Sequence, residues 1–151
     1  MKTIQTAALM ALSALSVLKA EDRPKTVRVT NITPNLYANE IEPSVAFWQR
    51  LGFEKIKEVP AGNKLAFAML RKDNLDLMYG TYASLDQDPA AAKSYTRGTS
   101  FLFIVVDSLD PIVAATKNAE LVAPVHKTFY GTTEITVKDP AGNVITFATR
   151  N

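Results

Sequence analysis

Side chains able to carry chemistry are few in this chain. There is no cysteine, so thiolate nucleophiles, thiolate metal sites and disulfide staples are excluded. The one histidine, His126, lies in Pro124-Val-His-Lys-Thr-Phe-Tyr-Gly131, and a single imidazole excludes any site that needs two from one chain. Asp76, in Asn74-Leu-Asp-Leu77, has the chemistry of a general base or of an orienting acceptor for a ligand hydroxyl or amine, unless Arg71 or Lys72 satisfies its charge. Glu134 falls on a strand and faces either the interior or solvent, because a one-residue slip of register exchanges the two faces. Phe129 and Tyr130, just after His126, are candidates for an aromatic rim that touches a ligand. No Gly-rich phosphate loop, G-x-S-x-G elbow or H-E-x-x-H helix is present, and Ser44, Ser94 and Ser100 have no histidine partner at a suggestive place.

These residues sit in a chain of 151 with 47% hydrophobic and 21% charged residues, values of an ordinary folded protein. That length suits one domain or two half-sized modules sharing a core. With 17 Lys+Arg against 15 Asp+Glu, the net charge of +2 gives no basic surplus of the kind that nucleic-acid binding requires. Residues 1–20 have the pattern of a secretory signal: Lys2, an uncharged run from Thr3 to Leu18, then Lys19-Ala20 before the polar Glu21-Asp22-Arg23-Pro24-Lys25. The run is short for a bilayer span of ~20 residues. Removal of 1–20 would take away Lys2 and Lys19 and no acid, leaving 15 charges of each sign. The expectation is an exported protein, periplasmic or secreted, with no stable membrane insertion after processing.

The elements that must position the candidate residues emerge when the chain is laid on itself. Asn31-Ile-Thr-Pro-Asn-Leu-Tyr-Ala-Asn-Glu-Ile-Glu-Pro43 lies opposite Thr99-Ser-Phe-Leu-Phe-Ile-Val-Val-Asp-Ser-Leu-Asp-Pro111 at an offset of 68 residues with no gap. Each reads as an alternating strand, an acidic turn and a helix opened by proline. Ile32, Pro34, Leu36 and Ala38 share one face of the first strand, and Leu102, Ile104 and Val106 one face of the second. Asp110 is the expected N-cap of the second helix. The helices are expected over 44–51, with Phe47, Trp48 and Leu51 on one buried stripe and Gly52 as terminator, and over 112–119. Three strands follow each: 53–59, 65–70 and 75–79, then 122–125, 132–138 and 144–149. Turns fall at 60–63, 72–74 and 139–143. The mixed charges of Glu54, Lys55, Lys57 and Glu58 predict a solvated edge strand. Each half is therefore βαβββ, an α+β fold with modules over about 27–81 and 98–150 joined by a polar linker, 82–97.

Asn35-Leu-Tyr, Ser44-Val-Ala-Phe-Trp48, Leu51-Gly-Phe53, Tyr130-Gly131 and Asp139-Pro-Ala-Gly-Asn143-Val-Ile-Thr-Phe147, in that order and spacing, resemble the vicinal oxygen chelate superfamily of glyoxalase I, bleomycin-resistance proteins, fosfomycin-resistance enzymes and extradiol dioxygenases. The resemblance spans roughly 30 to 150. It implies two βαβββ modules, in a domain covering 27–151, that pair curved mixed sheets around a cavity, within a homodimer. Family enzymes hold a divalent ion on His, Glu or Gln from the first and last strand of each module. Those positions fall here on Thr33, Asp76, Phe101 and Thr146, of which Asp76 alone is a strong ligand. The resemblance therefore implies no metal and no other cofactor.

On that fold the cavity face carries Thr33, Asn35 and Tyr37, opposed by Phe101, Phe103 and Val105, with Asp76, Met78, Thr146 and Ala148 from the closing strands. Asp76 facing such an apolar cavity would have its pKa raised. The loop of His126, Phe129 and Tyr130 borders the family's cavity. The expected function is metal-independent binding of a small, partly aromatic molecule, in the manner of bleomycin-resistance proteins. The ligand site would comprise Thr33, Asn35, Tyr37, Asp76, Met78, Phe101, Phe103, Phe129, Tyr130 and Thr146. Two alternatives stand beside it: a glyoxalase-like lyase, isomerase or dioxygenase with an unusual metal site built on Asp76 with His126 or Glu134, and a module in which Phe101 and Phe103 merely fill a collapsed core.

Overall fold

The computed structural model describes residues 29–150, Ala91 by its backbone alone. The leader expected at 1–20 lies outside the described residues. Residues 29–32 have no regular structure, and the folded unit starts at Thr33. Its elements run β1 (Asn35–Ala38), α1 (Glu42–Arg50), β2 (Glu54–Ala61), β3 (Lys64–Lys72), β4 (Leu75–Thr81), α2 (Tyr82–Leu85), α3 (Pro89–Ser94), β5 (Phe101–Val105), α4 (Asp110–Ala115), β6 (Glu120–Lys127), β7 (Thr132–Lys138) and β8 (Val144–Arg150). The two halves build the same sheet: β1-β4-β3-β2 and β5-β8-β7-β6, with β1 parallel to β4, β5 parallel to β8, and the other pairs antiparallel.

Helix α1 shows how sequence fixes these pieces. Its stripe buries Val45, Phe47 and Trp48 against Leu36, Ala38, Leu70, Leu77 and Tyr79 of the first sheet. Gly52, at φ +85°, ends it: its N–H donates to the Gln49 carbonyl at 3.0 Å, and that of Phe53 donates to Trp48 at 3.1 Å, the paired bonds of a Schellman termination. In the second sheet Ile135, Val137, Ile145 and Phe147 are buried, and α4 contributes only the half-buried Ile112 and Ala115. A buried network ties the halves together. The Trp48 indole N–H donates to the Tyr79 hydroxyl at 3.0 Å, and that hydroxyl donates to Asp139 in the β7–β8 turn. Asn143 adds its backbone and side-chain N–H groups to the same carboxylate at 2.8 and 2.9 Å. Burial and the neighbouring charge of Asp139 push the Tyr79 phenol far above its ordinary range.

Several expectations are corrected. Both helices begin one residue before their prolines, so Asp110 is the first helical residue rather than the cap. Ile41 and Leu109 stand at the caps without a side-chain bond. Glu42 instead turns its carboxylate to the Leu65 N–H at 2.6 Å, which holds its pKa below the usual carboxylate range. Strand β1 starts at Asn35, leaving Ile32 83% exposed, outside the strand and outside the core. Helix α4 stops at Ala115, and Thr116 at its C-cap turns both its N–H and its hydroxyl to the Ile112 carbonyl, at 2.9 and 2.8 Å. The segment between the halves, read as a linker, contains α2 and α3. His126 lies within strand β6, not in a loop.

Candidate functional site

Strand alternation gives each sheet a face against the helices and a face turned away, here called the open face. On the first sheet Leu36, Leu77 and Tyr79 go inward, so Asn35, Tyr37, Asp76 and Met78 go to the open face. Tyr37 lies in register with Gly80, and its ring covers that glycine so closely that a Cβ there would fall 2.8 Å from the ring. Asn35 Nδ2 donates to the Tyr37 hydroxyl at 3.0 Å. Tyr82 stacks on Tyr37 at 6.2 Å, Tyr95 tilts against it at 5.2 Å, and Arg97 lies over the Tyr82 ring at 4.9 Å. Partial burial raises the pKa of Tyr95, helped by Tyr82 and Tyr37. Residues of the segment between the halves thus contribute an aromatic corner to the open face, which sequence reasoning missed because Tyr82 and Tyr95 follow no strand periodicity.

On the second sheet Leu102, Ile104, Ile145 and Phe147 pack inward. Phe101, Phe103 and Val105 turn outward and are 65%, 50% and 53% exposed, so they fill no core. Thr146 is buried beside Thr136, their hydroxyls 2.8 Å apart. Thr33 precedes β1 by two residues and is half-buried. Phe129 is exposed and packs edge-on against Tyr130 at 5.0 Å.

Asp76 takes its other reading. Arg71 Nε and Nη2 donate to its two oxygens at 2.6 and 2.9 Å, and this pairing holds the carboxyl below its usual range rather than raising it. His126 is exposed, with Nδ1 2.9 Å from the Pro124 carbonyl. It lies in register with Glu134, which is buried and accepts from Tyr130 Oη at 3.0 Å and Thr132 Oγ1 at 2.6 Å. That bond to Glu134 raises the Tyr130 phenol pKa. Asp76, His126 and Glu134 do not converge, and among the described residues no three His, Asp or Glu side chains do. A cleft of about 460 Å³ lies instead where Leu51, Phe53 and Leu75 of the first half meet Ile104, Pro111 and Ile112 of the second, and none of the ten expected ligand residues lines it.

The model of the Glyoxalase/Bleomycin resistance protein/Dioxygenase superfamily matches residues 28–147. The chain belongs to this superfamily. Its vicinal oxygen chelate fold is shared by solved structures of low sequence identity. TioX from Micromonospora sp. ML1 is 17% identical, with a TM-score of 0.67 over 82% of this chain and 100% of that one. Lactoylglutathione lyase from Agrobacterium tumefaciens is 16% identical, with a TM-score of 0.64 over 82% and 96%. A bleomycin-binding protein complexed with bleomycin is 20% identical, with a TM-score of 0.57 over 82% and 100%. Comparison with curated protein sequences finds no significant match. Against the metal that the superfamily's enzymes use, the donor set of this vicinal oxygen chelate chain does not fit. Both oxygens of Asp76 are taken by Arg71, the Thr146 hydroxyl is shared with Thr136, and Phe101 has no donor atom.

Proposed function

We propose that this protein binds a small, partly aromatic molecule on its open sheet faces, without a metal and as a homodimer. The observation that carries the reading is the row Phe101, Phe103 and Val105: three alternating apolar side chains, each at least half exposed, on the face turned from the helices. A soluble chain seldom leaves a contiguous apolar surface of this kind uncovered unless something binds there. Polar groups stand among these side chains at few points, namely Asn35, Tyr37, Thr136, Thr146 and Glu134, which is the composition of a small-molecule site. A second copy would supply the opposing wall and close the cavity. The bleomycin-binding neighbour supports the class of ligand. The leader-like residues 1–20 suit sequestration in an exported compartment.

Native mass spectrometry of the protein recovered from its producing cells tests all parts together. The expected spectrum shows a dimer that retains an organic compound and no stoichiometric metal. One tightly held divalent ion per subunit would overturn the metal-free reading, and a monomer with no bound compound would overturn the cavity.

A further inference from the structure

We propose that Glu134 is the receptor for a positively charged nitrogen, so that the ligand of the open face is an aromatic ammonium or amidinium compound. This assignment rests on the reading of the open face as the ligand site and goes further by fixing the ligand's charge. Glu134 belongs to one cross-sheet row, Val105–Ala148–Glu134–His126, contributed by four adjacent strands. It is 5% exposed. Among the described residues Tyr130 and Thr132 both donate to Oε1, Oε2 accepts no hydrogen bond, and no cation pairs with either oxygen. Five other carboxylates have a basic partner. Asp76 has Arg71, Glu40 has Lys64, Glu58 has Lys55, Asp86 has Arg97 and Glu120 has Lys138. The buried Asp139 has donors on both oxygens.

A carboxylate taken out of water without a counter-charge is costly, and hydroxyl donors orient it without neutralising it. A ligand nitrogen would supply the missing charge through a short, charge-assisted bond. The surroundings favour such a ligand. Ala148, opposite Glu134, contributes only a methyl and is itself buried, while half-exposed Val105 and Phe103 provide apolar surface for an aromatic body.

The test uses three probes of one shape, 1-naphthylmethylammonium, 1-naphthylmethanol and 1-naphthoate, titrated into the full chain and followed by amide chemical shifts. The ammonium is expected to bind at least tenfold more tightly than either of the others, with shifts centred on β7 and β8. Glu134→Gln should erase that preference while leaving the alcohol's affinity unchanged, and Glu134→Asp should restore part of it. Equal binding of ammonium and alcohol by the native protein would overturn the assignment without need of any variant, and leaves the open-face site standing. A preference that survives Glu134→Gln would overturn it too. So would a Glu134→Gln variant whose subunit count changes while selectivity persists, since the counter-charge would then come from a second copy. If none of the three probes shifts the open face, the ligand site itself falls.

Discussion

Asp76 and Glu134 exchange the roles that their surroundings in the sequence suggest. Asp76 sits between leucines and looks isolated, but the β3–β4 register places Arg71 directly across from it, and the fork of the guanidinium occupies both oxygens. Pairing depresses the pKa of Asp76, so its contribution to stability is present above the unfolded value of about 3.9 and is lost as pH falls through the folded value. Arg71→Ala should therefore move the Asp76 titration, followed by its carboxyl carbon shift, upward toward that unfolded value; an unmoved midpoint would contradict the pairing. Glu134 was legible as far as its strand, since 132–138 is the observed span of β7, but its face was not. Thr132, Glu134 and Thr136 alternate with Ile135 and Val137, and this polar-apolar alternation is the signal that assigns the face once the inner residues are known. Ser44 makes the opposite point. Its hydroxyl is buried without a hydrogen-bond partner, so Ser44→Ala should leave urea-unfolding stability unchanged or raise it by about 1 kcal/mol.

Elements formed where local chemistry and burial agree, and drifted where only one of them spoke. The stripe of Phe47, Trp48 and Leu51, the glycine after it, and the 68-residue repeat were enough to give the helix α1 and the four strands of each half, while the order of those strands within each sheet comes from the structure. The ends of strands were not legible, because the hairpins tighten to two residues. Gly62-Asn63 and Asp73-Asn74 close them, with Gly62 and Asp73 at positive φ, so the ladders run further into the turns than hydrophobic alternation reaches. The early stop of α4 falls at Thr116, whose N–H and hydroxyl both close on the Ile112 carbonyl, and no periodicity reports it. Gly52 carries the sharpest prediction at this scale. A Cβ there meets Lys72 Nζ at 2.7 Å in a left-handed backbone conformation, and Lys72 is itself bonded to the Leu51 carbonyl. Gly52→Ala should cost about 1 kcal/mol or more in urea unfolding. A neutral result would mean that the termination of α1 tolerates another conformation.

Across the whole molecule two kinds of surface hold the halves to their task, one dry and finished, the other exposed and waiting. The finished one is the Trp48–Tyr79–Asp139–Asn143 network, in which Trp48 donates to Tyr79 within the first half, Tyr79 donates across to Asp139, and Asn143 closes its own turn on the same carboxylate. Asp139→Ala would strand the Tyr79 hydroxyl and two N–H groups of Asn143, and should lower unfolding stability by about 3–5 kcal/mol without touching the open face. The exposed surface should behave in the reverse way. Phe103 is half exposed, so Phe103→Asp removes little that folding depends on, and its urea midpoint should stay close to that of the native chain. Its ring nonetheless lies mid-row between Phe101 and Val105, on the face that a ligand and a second copy would have to share. A charge buried there without a partner would cost about 2 kcal/mol or more, a factor of roughly 30 in association. Phe103→Asp is therefore expected to sediment as a folded monomer and to lose aromatic binding together with dimerisation. A variant that stays dimeric and keeps its ligand would show that the open face of the second sheet is ordinary solvent-facing surface.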